Sequence, residues 1–220
     1  MKLMVQDAFR YMQMPKSEYD DELAEKIKST YAALNQMNTS KYIYNHFSIH
    51  LDHETVLFDQ TTLSITSTDL AKLLKDCDRC YILAATLGQG VDRQIGIKQK
   101  VDMLEALIWD SCASVWIDKI CDDIEQQIIK EVENDEFLTM RFSPGYGDVS
   151  LEVQQQLIDV LSATKKIGIS LTKTDMLIPT KSITAFIGIS HQKQNRKKSC
   201  SNCNLTQTCL YRKRGDQCGL

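Results

Sequence analysis

The stretch Ser182-Ile-Thr-Ala-Phe-Ile-Gly-Ile-Ser190 decides how this chain folds. Its isoleucines and its alanine occupy every second position from Ile183 to Ile189, which is the spacing of a strand with one apolar face. A second stretch, Tyr81-Ile-Leu-Ala-Ala85, is apolar without interruption and predicts a buried strand. The segments around both show helical spacing, without the regular alternation of strands and helices that a doubly wound sheet requires. We therefore predict a single α+β domain, with long helices packed on a twisted, mainly antiparallel sheet.

Helical spacing is clearest over residues 91–133, where a break is expected near Gly96. Apolar residues recur there at steps of three and four: Leu104, Leu107, Ile108, Cys112, Val115, Ile120, Ile124 and Ile128. Other helices are predicted over 2–12, from Ser17 (with Asp20 at its third position) to Gln36, from a cap at Ser67 or Thr68 to Leu74 and from Ser150 to Lys166. Short strands are predicted within 41–66 and at Asp175–Ile178.

The composition is that of an ordinary globular protein, with 220 residues, 43% hydrophobic and 25% charged, and a formal net charge of −3. This charge gives no general attraction to nucleic acid or to an anionic membrane. No apolar run reaches the roughly 18 residues of a membrane-spanning helix, and the first residues lack the apolar core of a signal peptide. We expect a cytoplasmic protein with no nucleic-acid or membrane partner. Neither a G-x-G-x-x-G motif nor a phosphate-binding loop supports a nucleotide site.

The segment Arg141-Phe-Ser-Pro-Gly-Tyr146 is the strongest candidate for a ligand-binding loop. Proline fixes one backbone angle and glycine permits angles that other residues avoid, so together they predict a tight loop with exposed backbone groups. Arg141 can grip a carboxylate, and Tyr146 offers an aromatic face with a polar tip. These groups suit an amino-acid-like ligand. From the loop alone, a surface turn capped by a tyrosine is the commoner explanation.

Several motifs, taken in order, resemble the activation domain of cobalamin-dependent methionine synthase, and more closely its free-standing form. The family signature of an arginine, three residues and Gly-Tyr is matched by Arg141-Phe-Ser-Pro-Gly145-Tyr146. Ala85-Thr-Leu-Gly88 matches a Thr-x-Gly turn before a long helix. Ile167-Gly-Ile-Ser-Leu-Thr172 and Pro179-Thr-Lys-Ser182 match a glycine turn and the Pro-x-x-Ser start of a strand. The resemblance covers residues 80–190.

This resemblance implies a protein that binds S-adenosylmethionine and supports reductive methylation of cob(II)alamin on methionine synthase in trans. The cobalamin is carried by that partner, and the electron comes from a flavodoxin-like donor. Arg141 would hold the carboxylate of the ligand, and the backbone from Ser143 through Gly145 would contact it. Tyr146 would lie near the sulfonium, whose positive charge an aromatic face attracts. Such a chain is the activation component of a methyltransferase system, and whether it counts as an enzyme itself stays open.

Two features depart from the family pattern. Gly147 follows Tyr146 where the fused form continues with proline. The fused form also meets the amino group of the ligand with an acid from its N-terminal helices, which has no aligned counterpart in this chain. Asp118, on the long predicted helix, is the substitute that we expect to bind the ligand, although an acid in such acidic surroundings is more often a solvated surface residue.

The C-terminal region from residue 191 is predicted to be a basic, cysteine-rich tail appended to a domain of residues 1–190. Four of its thiols, Cys200, Cys203, Cys209 and Cys218, fall within nineteen residues that contain little apolar material. A metal ion would organise such a segment, and four thiolates suit zinc or an iron–sulfur cluster. A tail with reduced thiols is the equally weighted alternative. Cys77, Cys80, Cys112 and Cys121 lie at positions where we expect packed core thiols.

Two other functions are compatible with the same residues. One is a module that docks on a corrinoid protein, uses the tail cysteines for structural zinc and binds no methyl donor. The other is an iron–sulfur electron carrier for a corrinoid enzyme. Binding of S-adenosylmethionine separates the main hypothesis from both.

Overall fold

The fold comes from a computed structural model, which describes residues 2–14, 18–37 and 39–193 together with Gln207 and Lys213. Within these residues the chain forms seven helices: α1 (Lys2–Tyr11), α2 (Asp21–Met37), α3 (Thr68–Leu74), α4 (Gln89–Val101), α5 (Met103–Glu131), α6 (Val153–Leu161) and α7 (Ala163–Ile167). It also forms eight strands: β1 (Lys41–Asp52), β2 (Thr55–Phe58), β3 (Ser64–Thr66), β4 (Cys77–Thr86), β5 (Phe137–Leu138), β6 (Ser170–Leu171), β7 (Leu177–Ile178) and β8 (Ser182–Ser190).

Six strands form one sheet in the order β3-β2-β1-β4-β8-β5, and β6 pairs with β7 separately. Every pairing is antiparallel. The two stretches that decide the fold are therefore neighbours: β4 pairs with β8 from Thr86 opposite Ser182 to Cys77 opposite Ser190. The predicted α+β fold with a mainly antiparallel sheet is confirmed.

The central strand β4 is apolar throughout because both faces of the sheet are covered. Leu83 and Ala85 pack in a core with α1, α2 and α5. Ile82 and Ala84 point the other way, into a core with α3, α6 and α7. Alternating side chains of one strand thus serve two hydrophobic cores, and an uninterrupted apolar run results.

The long helical region differs from the prediction at its break. Gly96 lies inside α4, and the chain turns at Asp102, whose carboxylate accepts hydrogen bonds from the backbone N–H groups of Leu104 and Glu105. An aspartate at this position satisfies the first donors of a helix, which a glycine does not do. Leu104 and Leu107, expected in the core, are exposed beside this corner.

Two other predicted helices have different limits. The one predicted from Ser150 to Lys166 divides at Ser162, which adopts a left-handed conformation at φ 53° between α6 and α7. Asp20, predicted at the third position of a helix, instead precedes α2 and accepts the N–H of Leu23 at 2.6 Å. Ser17 lies outside the described residues. Ser67 caps α3 as predicted, since its hydroxyl accepts the N–H of Leu70.

The described helices include none that is both long and apolar enough to cross a membrane.

Substitution of Gly188 tests the packing between β8 and the α3 side of the sheet. A Cβ at this position would lie 2.5 Å from Leu74 Cδ2 and 2.7 Å from Cys77 Sγ. We expect Gly188→Ala to lower the free energy of unfolding by about 1–3 kcal/mol, because the core must shift to admit the methyl group. Urea denaturation measures this change.

Gly96→Ala is the matched control, since a Cβ there meets no atom within 4 Å. In the interior of α4 the alanine should stabilise the protein by roughly 0.5–1 kcal/mol. Equal stability of Gly188→Ala and the unaltered protein would contradict the packing described.

Candidate functional site

Two of the sequence motifs meet at one end of the β4–β8 pair. Thr86 Oγ1 accepts the N–H of Gly88 at 3.0 Å and lies 2.8 Å from the hydroxyl oxygen of Ser182. The Ser182 hydroxyl also lies 2.7 Å from the carbonyl oxygen of Pro179. The Thr-x-Gly turn and the Pro-x-x-Ser segment, nearly a hundred residues apart in sequence, are thus joined by side-chain hydrogen bonds.

The loop from Arg141 to Tyr146 is attached to the same strand pair. Phe142 forms an antiparallel bridge with Phe186 of β8, with both backbone hydrogen bonds at or below 3.0 Å. Beyond it, the N–H of Gly145 donates to the carbonyl of Val149 at 2.8 Å, which closes a compact turn. Gly145 has φ +87° and Gly147 has φ +55°, and a Cβ on Gly147 would collide with Asp69. Both glycines are therefore required by the backbone.

Arg141, at the start of this loop, is held by helix α5. Its Nη1 donates to Asp122 Oδ1 at 2.8 Å and to Glu125 Oε1 at 2.6 Å. The side chain is only 16% exposed. Burial alone would lower the pKa of the guanidinium, but the hydrogen bond to Asp122 and the nearby acids raise it overall. Both bonds use one nitrogen, so the N–H groups on Nη2 and Nε take no part in them.

Tyr146, at the end of the loop, is 67% exposed and so can offer its ring to a ligand. Ser143 is partly buried beside it. The sequence predicts both positions as ligand contacts, and the structure places them on one short turn with Arg141 and Gly145.

Asp118 lies one helical turn before Asp122 on α5 and is partly buried. The hydroxyl of Tyr11, the last residue of α1, donates to Asp118 Oδ2 at 2.5 Å. Burial and this hydrogen bond raise the pKa of Tyr11, and the phenol of Tyr146 adds to the effect. The predicted site residues Asp118 and Tyr146 are therefore both near Tyr11.

Lys181 contacts polar residues on the same side of α5, closer to the N-terminus of the helix. Its ammonium lies 2.8 Å from Asp110 Oδ1 and 2.9 Å from Ser114 Oγ. Ser114 and Asp122, the attachment points of Lys181 and Arg141, are separated along the helix axis by about 12 Å. We refer to the polar surface along this side of α5, from Lys181 past Asp118 to Arg141, as the groove.

Sequence reasoning missed six residues of this groove: Tyr11, Asp110, Ser114, Asp122, Glu125 and Lys181. Asp122 and Glu125 were part of a run that is most simply a solvated helix face. Their spacing of three and four residues, continuing from Asp118, was the available signal that they share one side of the helix.

The cysteines within the described residues are packed in the core. Cys77, Cys80, Cys112 and Cys121 are buried, as predicted. Burial raises the pKa of Cys77, Cys112 and Cys121 to about 12, so these thiols stay protonated and unreactive at neutral pH. In the described part of the chain no three metal-binding side chains are grouped for an ion. The predicted metal ligands Cys200, Cys203, Cys209 and Cys218 lie outside the described residues.

Two half-open pockets lie away from the groove. The first, about 220 Å³, is lined by residues of α2, α4 and α5 that include Lys26, Lys98 and Trp109. The second, about 30 Å³, lies beside Thr39 and Trp116. Neither is lined by Arg141 or Tyr146.

Comparison with solved structures assigns the class of fold. The crystal structure of the MetH reactivation domain bound to AdoHcy superposes with a TM-score of 0.59, over 97% of this chain and 83% of that one. Its sequence identity is 13%, so the likeness shows a shared fold.

The sequence comparison points to a family. Residues 114–216, which include the arginine loop, match the family described as vitamin B12 dependent methionine synthase, activation domain. This match spans just under half of the chain, and with the shared fold it supports a relationship to these activation domains. No curated protein matches it in sequence.

Asp148 holds the far end of the arginine loop against α3, and its charge should make that attachment pH-dependent. Its carboxylate accepts hydrogen bonds from the Ser67 hydroxyl and from the N–H groups of Thr68 and Asp69. The Ser67 hydrogen bond and these two backbone donors lower the pKa of Asp148, although desolvation acts in the other direction. The native state therefore binds this proton less readily than the unfolded chain.

We expect Asp148→Asn to lower the midpoint of thermal unfolding by roughly 2 °C at pH 7. The stabilisation by the carboxylate is complete above its ordinary pKa of about 3.9 and disappears as pH falls through the lower native value. The difference between variant and parent should thus vanish near the acid limit. Asp159→Asn, in which the partner is the neutral amide of Gln155, is the control. A difference that is constant with pH would contradict the role of the charge.

Proposed function

We propose that this protein binds S-adenosylmethionine in the groove along α5 and supports reductive methylation of cob(II)alamin on a methionine synthase in trans. The observation that carries the proposal is the placement of Arg141. Its guanidinium is fixed by two acids of α5 at the start of a loop whose glycines are required, in a segment that matches the activation-domain family.

The groove matches the polar groups of an amino-acid ligand. The N–H groups on Nη2 and Nε of Arg141 are a suitable pair for a carboxylate, because a guanidinium fork bonds both oxygens at once. Asp118 is a suitable acceptor for the α-ammonium. The backbone from Ser143 through Gly145 would contact the ligand, and the exposed Gly145 leaves room for close approach. The ring of Tyr146 can face the sulfonium.

The charge of the groove supports a cationic ligand. Four carboxylates, those of Asp110, Asp118, Asp122 and Glu125, face two cations, Arg141 and Lys181. S-adenosylmethionine carries one more positive charge than AdoHcy, the compound that remains after its methyl group is transferred. A net acidic groove therefore favours the methyl donor over the spent product.

The open form of the groove supports action on a second protein. Tyr146 is exposed, and a methyl group held beside it would be accessible from solvent. The partner's cobalamin would cover this side and supply the chemistry, accepting one electron and the methyl group. The role of this chain is to place the methyl donor and to exclude water once the partner has docked. We propose a flavodoxin-like protein as the electron donor.

The tail from residue 191 is a separate part of the proposal. β8 ends at Ser190, where we place the boundary of the domain. The four cysteines beyond it remain proposed ligands for zinc or an iron–sulfur cluster.

Reactivation of an inactive synthase tests the proposed function. A methionine synthase loaded with cob(II)alamin and lacking its own activation domain should regain methyl transfer when this protein, S-adenosylmethionine and a one-electron reductant are added. Arg141→Lys keeps the charge beside buried Glu125 but loses the planar fork. We expect it to require about 10- to 100-fold more S-adenosylmethionine for the same reactivation.

Arg79→Lys is the matched control, because Arg79 pairs with the buried carboxylate of Glu136 at the opposite end of β4. It should reactivate like the unaltered protein. Alanine at position 141 is less informative, since it would leave Glu125 buried without a cation. Reactivation without S-adenosylmethionine would favour a docking or electron-transfer module, and absence of reactivation would contradict the proposal.

A further inference from the structure

Helix α1 reaches the groove from a part of the chain that the family match at residues 114–216 does not include. The helix is anchored on the core by Val5, Ala8 and Phe9, which are buried, as is Met12 directly after the helix. Its last residue, Tyr11, is 41% exposed, and its hydroxyl ends on Asp118. Tyr11 therefore does more than pack against the core. Its hydroxyl bonds a carboxylate on the side of α5 that also binds Arg141.

We propose that Tyr11 is a positioning residue, which orients the carboxylate of Asp118 to receive the α-ammonium of the ligand. This inference rests on the proposed function. The hydroxyl of Tyr11 donates a hydrogen bond to Oδ2 of Asp118. Among the described residues, this hydroxyl is the donor that contacts the carboxylate. Oδ1 takes no part in this bond. Holding one oxygen fixes the side-chain rotamer before the ligand arrives, so less conformational entropy is lost on binding.

The spacing along α5 fits an amino-acid head group. Asp118 and Asp122 are one turn apart, a rise of about 6 Å, and Asp122 is bonded to Arg141. An α-amino acid carries its ammonium and carboxylate on one carbon. The ammonium would bond Asp118 and the carboxylate would bond Arg141, each at about 2.8 Å. Together these two bonds can span the distance of about 6 Å between the two turns of α5.

Calorimetry with two ligands separates positioning from simple support of the fold. The ligands are S-adenosylmethionine and its deaminated analogue, which keeps the carboxylate and the sulfonium but lacks the ammonium. Tyr11→Phe should weaken binding of S-adenosylmethionine roughly tenfold and leave binding of the analogue unchanged. Asp118→Asn should show the same selective loss, and the double variant should bind no more weakly than Asp118→Asn alone.

Tyr31→Phe is the matched control. Its hydroxyl also ties to α1, donating to the carbonyl of Met4 at 2.9 Å, but it lies in the core. It should change stability without changing affinity for either ligand. Equal losses for both ligands in Tyr11→Phe, or no loss for either, would overturn the positioning role while leaving the proposed function intact. If the unaltered protein binds neither ligand, the proposed function fails as well.

Discussion

The structure of the groove depends on the ion pair that joins Arg141 to Asp122 and Glu125. Glu125 is buried, and a buried carboxylate is tolerated only when it is paired. Arg141 supplies the positive charge that Glu125 needs, and it does so from a loop. The ion pair therefore holds the start of the loop against α5. The same contact leaves the edge formed by Nη2 and Nε outside the ion pair. One interaction thus stabilises the fold and prepares the site.

The sheet explains why motifs so distant in sequence act together. β4 and β8 are adjacent, and each motif is attached to them: Gly88 follows β4, Ser182 begins β8, and Phe142 bridges to the middle of β8. Because β4 is buried on both faces, the pair is a rigid base for the loop. Helix α5 packs against it and supplies the acids.

The fold class was accessible from sequence because alternation and apolar runs report burial directly, as β4 and β8 show. The arginine loop was accessible because proline and glycine have strong backbone preferences. The partners of Arg141 were not, since Asp122 and Glu125 belong to an acidic run that looks solvated, and only tertiary contact separates them from their neighbours. The break at Asp102 was missed because the prediction placed the boundary at a glycine. An aspartate can mark a boundary as well, since its carboxylate accepts the first N–H groups of the next helix. The association of Tyr11 with Asp118 joins residues 107 positions apart, which no local pattern reveals.

We propose that the groove along α5 binds S-adenosylmethionine through Arg141. A crystal structure of the protein grown with this compound would show the contacts themselves. We expect the ligand carboxylate on Nη2 and Nε of Arg141, the ammonium on Asp118 and the sulfonium beside Tyr146, with Glu125 still bonded to the arginine. Ligand found instead in the 220 Å³ pocket beside Trp109, with the groove vacant, would contradict this proposal.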